Sequence, residues 1–384
     1  MSDSTAILTE RRARRLPFRR QPSEERALHR RGSRGSRRVL AVGPTVTTIA
    51  VLAVLVLVVS AATGPVGVSP LDAAKIVIGH LIPGMPWMTD GTLTPLQDQA
   101  VWQFRVPRSL LAALSGAGLA LAGAMMQAVV RNPLAEPYIL GVSSGASVGA
   151  VLVIVSGGAT FLGLTMSGAA FVGAMVACLL VAMLARIRGE LSPTRMILAG
   201  VALGALLSAV TSYLTLTTDA QNVVSVMFFL LGSVSAADMS TLLIPAVALA
   251  IACIAVFGLS RSMNALLAGD ESAMAVGVRT TRVRGVLLVL ASLLTGAIVA
   301  VSGGIGFVGL VVPHMARLLV GSDHRRMLPI TILGGALFLM VADLLARTVA
   351  MPTEIPLGIL TAFVGAPFFL WLMRSGGDRA GFDR

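Results

Sequence analysis

Ten apolar runs of about 20 residues constrain this chain more than any other feature, because about 20 apolar residues cross a bilayer as one helix. The runs fall at 43–62, 109–130, 140–156, 163–186, 195–216, 240–260, 284–302, 304–320, 328–348 and 357–374. Gly303, Gly304 and Gly306 supply the break between the seventh and eighth. A further run, 223–232, is too short to span and reads as a re-entrant or interfacial half-helix. Lipid offers no partner for backbone N–H and C=O groups, so each segment must satisfy them internally as a helix. The fold class is therefore all-α and polytopic, with about ten transmembrane helices.

Composition agrees. Hydrophobic residues make up 55% of the 384, and charged residues only 12%, about half the usual share for soluble domains. A disordered chain, a secreted disulfide scaffold and an ordinary cytosolic enzyme are excluded. The single lysine, Lys75, stands in Ala-Lys-Ile-Val and not in G-x-x-x-x-G-K-[ST], so the chain carries no Walker A site. Cys178 and Cys253 lie in apolar runs and read as small buried hydrophobes. The four histidines, His29, His80, His314 and His324, show no ligand spacing, so no metal site is expected.

Residues 1–41 form a basic arm rich in Arg, Ser and Gly, expected to be disordered and cytoplasmic. Such an arm before a first span holds the N-terminus inside and meets anionic lipid; no nucleic-acid partner is needed to explain it. Ser36-Arg37-Arg38-Val39-Leu40 resembles a twin-arginine signal, but the apolar stretch after it exceeds the usual h-region of about 7–15 residues. It reads as an uncleaved first helix. The division is then arm 1–41, a transmembrane domain 42–375 with a long inner loop at 261–284, and a cytoplasmic tail 376–384.

Charge sets the topology. With the N-terminus inside, the inner loops and edges hold Arg131, Arg186, Arg188, Arg195, Arg261, Arg279, Arg282, Arg284, Arg317, Arg325, Arg326 and Arg374. The outside holds only Lys75, Arg105, Arg108 and Arg347. This is the positive-inside pattern, and it places both termini in the cytoplasm. Small residues recur every four positions, in Ala112-Gly116-Ala120-Ala124-Ala128 and Gly200-Gly204-Ser208-Ser212. Such stripes let helices pack closely in lipid.

Four features carry candidate chemistry. Gly304-Ile305-Gly306-Phe307-Val308-Gly309 matches G-x-G-x-x-G, but a dinucleotide site needs a strand before it and a helix after it. Both flanks are spans, so it reads as a tight packing turn. Asp343 is the rare intramembrane acid, with Arg347 one turn on, and reads as a structural i, i+4 pair. The scarcity of such acids argues against a proton-coupled secondary transporter and against a membrane enzyme. Arg105-Val106-Pro107-Arg108 allows two readings: a helix start anchored among headgroups, or a basic patch docking an acidic partner. In the inner loop, Asp270 can cap a short helix with Glu271 in its first turn and Gly277 ending it. Its apolar Met and Leu side chains call for a partner groove, the alternative being a helix lying on the bilayer.

Several stretches together resemble the FecCD family of ABC importer permeases, which move ferric siderophores, haem or vitamin B12. They are Val101-Trp102-Gln103-Phe104-Arg105-Val106-Pro107-Arg108; Gln127 through Arg131-Asn132-Pro133-Leu134-Ala135-Glu136-Pro137 to Gly141-Val142-Ser143-Ser144-Gly145-Ala146; Leu198 to Gly204; the 263–279 loop; and Gly304 through Pro313-His314 to Asp323-His324-Arg325. Ala342-Asp343-Leu344-Leu345-Ala346-Arg347 and Glu354-Ile355-Pro356-Leu357-Gly358 extend the likeness, which covers roughly Trp102 to Leu372.

The resemblance implies the type II ABC importer permease fold in the bacterial cytoplasmic membrane. It implies a homo- or heterodimer with a second permease subunit, two ABC ATPase subunits below and an extracytoplasmic substrate-binding protein above. ATP and Mg would sit on the ATPases, and this chain would hold no cofactor and do no bond chemistry. Docking of the binding protein maps onto Arg105, Arg108 and Arg347. Coupling to the ATPases maps onto Leu267, Gly269, Asp270, Glu271, Ala275 and Gly277. The cytoplasmic gate maps onto Ser192, Pro193 and Thr194, and small polar residues, Gln127, Ser208, Thr211 and Ser212, suit the path. A ferric siderophore is the expected cargo. Haem and cobalamin are alternatives within the family, and a stand-alone secondary transporter is the alternative outside it.

Overall fold

The computed structural model describes residues 40–157, 160–187 and 190–376. The arm to residue 39, Arg188 and the tail from 377 lie outside the described residues. The ten apolar runs are all helical. They are α1 (Val42–Ala62), α4 (Val106–Val130), α5 (Val142–Val155), α6 (Met166–Leu184), α7 (Pro193–Leu216), α9 (Leu243–Leu267), α11 (Thr280–Ser302), α12 (Val308–Val320), α13 (His324–Thr348) and α14 (Leu357–Gly376). The short run became α8 (Ala220–Leu231), and the inner loop holds α10 (Asp270–Ala275). Two-residue hairpins, Thr160–Phe161 with Leu164–Thr165 and Arg186–Ile187 with Glu190–Leu191, flank α6.

Two elements have no counterpart among the apolar runs. α2 (Pro70–Leu81) and α3 (Pro95–Gln99) lie between the first two spans. α2 starts on a Ser69 cap, whose hydroxyl accepts from the Asp72 N–H, and has Pro70 in its first turn. α3 opens on a Thr94–Gln97 capping box and runs through a π-turn, Ala100–Arg105, into α4. That turn lets a continuous helical segment accept Pro107, because Val106 N–H bonds five residues back to Val101.

Among the described residues, seven helices are long and apolar enough to span. α5 and α12, of 14 and 13 residues, are shorter than the runs that foretold them. α12 starts four residues late because Phe307, in the left-handed region at φ 67°, stands at its N-cap. The G-x-G-x-x-G stretch is thus a turn between two helices. Gly304 N–H bonds Phe229 O at the end of α8, and Leu357 N–H bonds Gly232 O, so α8, the glycine turn and α14 meet at one point.

α4 is the central helix: 83% of its apolar window is buried, against 11% for α7 and for α1. Its small-residue stripe explains this. A Cβ at Gly116 would sit 2.1 Å from the Gly335 carbonyl oxygen of α13, and one at Gly123 would sit 2.0 Å from Gly309 of α12. Backbones approach this closely only where side chains are absent. The free thiols follow expectation: Cys178 is buried and Cys253 half-buried.

Candidate functional site

The two ends of α4 carry the charged chemistry. At its start, Arg105 is buried at the end of the π-turn. Arg105 Nη1 donates to Ala61 O (3.1 Å) and Ala62 O (2.9 Å), and Nη2 to Val66 O (2.5 Å). Arg347 of α13 reaches the same place: Nη1 donates to Thr63 O (3.1 Å), and Nη2 to Ser60 O (2.9 Å) and to the Ser60 hydroxyl. Both guanidiniums therefore neutralise the carbonyl-rich C-terminus of α1, where the last turn lacks intrahelical partners and the macrodipole favours cations.

Arg108, one turn into α4, does something different. Its Nε donates to Asp343 Oδ1 (2.8 Å) and its Nη1 to Glu354 Oε1 (2.8 Å). Asp343 also contacts Arg347 at 3.6 Å, the i, i+4 pair read from the sequence. The structure thus brings Arg105, Arg108 and Arg347 together at one end, each with partners inside the chain. Of the three, only Arg108 pairs with a strongly exposed group, Glu354.

At the other end, α4 closes on Arg131, in the left-handed region at φ 55°. α10 lies beside it. Gly269 (φ 99°) takes the N-cap, so Asp270 is the first helical residue and not the cap. Its carboxylate is spent on guanidiniums: Arg284 Nη2 donates to Oδ1 (2.7 Å) and Nη1 to Oδ2 (3.2 Å), while Arg131 Nη2 lies 3.6 Å from Oδ2. Glu271 and Ala275 are exposed, as are the apolar Leu267, Met274 and Val276. Gly277 is exposed and follows α10 at φ 82°. Upstream, Asn264 ties α9 to α13, donating to Asp323 Oδ1 (2.7 Å) and accepting from His324 N–H (2.9 Å).

Between the ends lies a hydroxyl-lined groove. Ser208, Thr211 and Ser212 of α7 face Ser143, Ser144 and Ser147 of α5 across a hollow of about 160 Å³, with Leu230 of α8 closing it. A second hollow of about 410 Å³ continues along Thr211, Ser212, Thr215, Leu216 and Val223. No lining residue carries a formal charge. Thr211 and Thr215 donate their hydroxyls to carbonyls one turn back, leaving oxygens as acceptors.

Three of the expected path residues therefore gather, and one does not. Gln127 is buried in α4, donating to Gly309 O (3.2 Å) and accepting from Arg317 Nη2 (2.8 Å), so it joins α4 to α12 outside the groove lining. Ser192, Pro193 and Thr194 stand at the start of α7, where Ser192 N–H bonds Ala185 O. Ser208 is about 20 Å further along the same helix. Ser143 and Ser147 were missed as lining residues, although their i, i+4 spacing puts them on one helix face. Arg131, Arg284 and Glu354 were missed because their partners lie at least 14 positions away in sequence.

With this geometry in place, comparison with known proteins is informative. The sequence pattern of the FecCD transport family matches residues 52–375. The cobalamin import system permease protein BtuC of Halobacterium salinarum is 41% identical over 327 residues, covering 81% of this chain and 86% of that one. The hemin transport system permease protein HmuU of Yersinia pestis is 42% identical over 293 residues, covering 74% and 87%. A solved metal-chelate type ABC transporter in an inward-facing conformation superposes with a TM-score of 0.74 at 32% identity, covering 86% of this chain and 98% of that one. Fold and sequence pattern converge: the chain belongs to the FecCD transport family and is a multi-pass permease of the ABC importer class.

Proposed function

We propose that this chain imports a metal chelate across the cytoplasmic membrane by alternating access, together with a second permease subunit, two ATPase subunits and an external binding protein. The observation that carries this reading is the groove. It is polar, uncharged and set on α7, one of the two spans whose apolar surface the described residues cover least. Hydroxyl oxygens without charges offer a bulky chelate many weak contacts and no deep well, which suits passage over retention. The bare face of α7, with Leu198, Val201, Leu206 and Tyr213 exposed, is the seat assigned to the second permease.

The arginine distribution supports an inner location for α10 and both termini. The ATPase then contacts the exposed apolar surface of α10, and the binding protein approaches the end marked by Arg108 and Glu354. ATP and Mg act on the ATPase subunits. Their closure moves α10, and the two permeases rock about the groove; the start of α7, at Ser192–Thr194, serves as the inner gate.

The cargo is read first as a ferric siderophore. Haem or cobalamin is the second reading, favoured by the names of the relatives. Uptake of radio-iron ferrichrome and ferrioxamine, labelled haemin and labelled cyanocobalamin by a deletion strain tests both. Loss of one signal, restored by the gene, identifies the cargo. Unchanged uptake of all of them, with no ATPase retained by the detergent-purified chain, overturns the importer reading.

A further inference from the structure

We infer that Asp270 is a positioning residue, a two-armed tie that carries movement of α10 into the bundle, and that it does not contact the ATPase. This rests on the proposed function and assigns a new role within it. Three observations on the inner end support it. First, the carboxylate, though 35% exposed, is held between two guanidiniums of the chain itself. One arm is the two-bond fork from Arg284, and the other is the ion contact with Arg131.

Second, Arg284 needs that carboxylate. It sits in the second turn of α11, near the positive end of the helix dipole, with its side chain only 6% exposed. A cation buried there without a counter-charge is strongly unfavourable. α10 is therefore held to α11 by an obligatory pair.

Third, Arg131 is the hinge residue of the next segment. It ends α4 in the left-handed region and starts the loop Asn132–Pro137, whose first turn Asn132 closes by accepting Leu134 N–H (2.9 Å). A displacement of α10 by its partner thus pulls two places at once. One is α11, a core helix, and the other is the loop joining α4 to α5, which carries half of the groove hydroxyls. The exposed Leu267, Glu271, Met274 and Val276 are left as the surface the ATPase grips.

The test is a double-mutant cycle on the assembled importer in proteoliposomes. Asp270→Asn and Arg284→Gln are made singly and together, with Glu271→Arg as the contact control. ATPase co-purification, ATP hydrolysis and uptake of whichever of radio-iron ferrichrome, radio-iron ferrioxamine, labelled haemin and labelled cyanocobalamin the deletion strain loses are read for each. The expected result is full ATPase retention in the three cycle variants and weakened retention in Glu271→Arg. ATP hydrolysis continues in the cycle variants while uptake per ATP falls about tenfold, and the double variant is no worse than the worse single one. A merely structural lesion would lower hydrolysis and uptake together.

Additive losses, or loss of ATPase from Asp270→Asn as from Glu271→Arg, would overturn the tie. If Arg284→Gln does not assemble, the same cycle on the half-exposed Arg131→Gln decides. A wild-type chain that retains no ATPase instead defeats the importer reading. The tie itself is then read from non-additivity of the same variants in thermal unfolding.

Discussion

Each end of α4 holds one carboxylate between two guanidiniums, and the pair of clusters, about 35 Å apart along the helix, differs mainly in burial. At the Arg108 end, Asp343 is 1% exposed, with Arg108 and Arg347 nearly as enclosed. At the Arg131 end, Asp270 is 35% exposed and Arg131 38%, with only Arg284 buried. The same chemistry therefore serves two purposes. A sealed cluster locks α1, α4 and α13 together, because every way of opening it strands a charge. A half-open cluster can stretch, let water in and close again, which suits a part that must move.

The largest test of this contrast is Asp343→Asn against Asp270→Asn. The first leaves the enclosed Arg347 without a counter-ion and Arg108 with Glu354 alone, and is expected to cost about 3 kcal/mol or more, enough to lose most folded protein in detergent. The second is expected to cost about 1 kcal/mol or less. Thermal unfolding of the purified variants measures both, and equal losses would break the comparison.

Glu136, in the loop between α4 and α5, sharpens it as a carboxyl with no guanidinium partner among the described residues. It is half-buried, with Oε1 enclosed and unpartnered. Burial pushes its pKa up from 4.5 to about 7, opposed by a hydrogen bond from the Phe307 N–H. The folded chain therefore prefers it protonated. Its contribution to stability is fully present below pH 4.5 and is lost as pH rises through about 7. Relative to Glu136→Gln, the wild type should gain about 1 kcal/mol as pH falls across that window, discounted for partial exposure. Parallel melting curves for the two proteins would show that the carboxyl is not held in this way.

Salt separates the clusters more gently. Raising ionic strength from about 0.1 M to 1 M shortens the screening length from about 10 Å to 3 Å. The Arg131–Asp270 contact should weaken, lowering uptake per ATP by about twofold, while the melting contribution of Asp343 stays put. Measuring the Asp343→Asn and Asp270→Asn differences at both salts reads this directly. A salt response at Asp343 equal to that at Asp270 would mean the outer cluster is wetter than its exposure indicates.

Much of this architecture was legible in the sequence, for a physical reason. Apolar length and the i, i+4 rule are local, so the ten helices, the Asp343–Arg347 pair and the small-residue stripe of α4 could all be read from neighbours. Tertiary partners are not local. Arg105 gives no sign in the sequence of the α1 carbonyls it binds, because α1 ends more than 40 positions before it. Asp270 reads as a cap until Arg284, 14 positions on, takes its carboxylate. Gln127 looks like a path residue because an isolated amide in an apolar helix needs a partner, and sequence alone does not reveal Arg317 as that partner. α2 and α3 were missed because short capped helices outside the lipid carry no long apolar run. The groove was half legible: its hydroxyls on α7 stood out, and those on α5 were hidden in a stretch of small residues.

The smallest effect concerns the one exposed member of the outer cluster. Glu354 holds Arg108 through Nη1 while Asp343 holds it through Nε, and Glu354 is 44% exposed. On the proposed function, an acidic group arriving from a binding protein would have to replace Glu354, because Asp343 is sealed and the guanidinium edge is already occupied. Glu354 would then be a competitor that keeps Arg108 paired while the site is empty. Glu354→Gln should remove the competing charge and leave the fold intact, since an exposed ion pair is worth about 0.2–1 kcal/mol. Binding of the cognate binding protein to the permease in nanodiscs should tighten about two- to fivefold at low salt, and the gain should vanish at high salt. Weaker binding in the variant would mean that Glu354 orients Arg108 for the partner, so that the two ends of α4 would be alike in using a second group to aim a guanidinium.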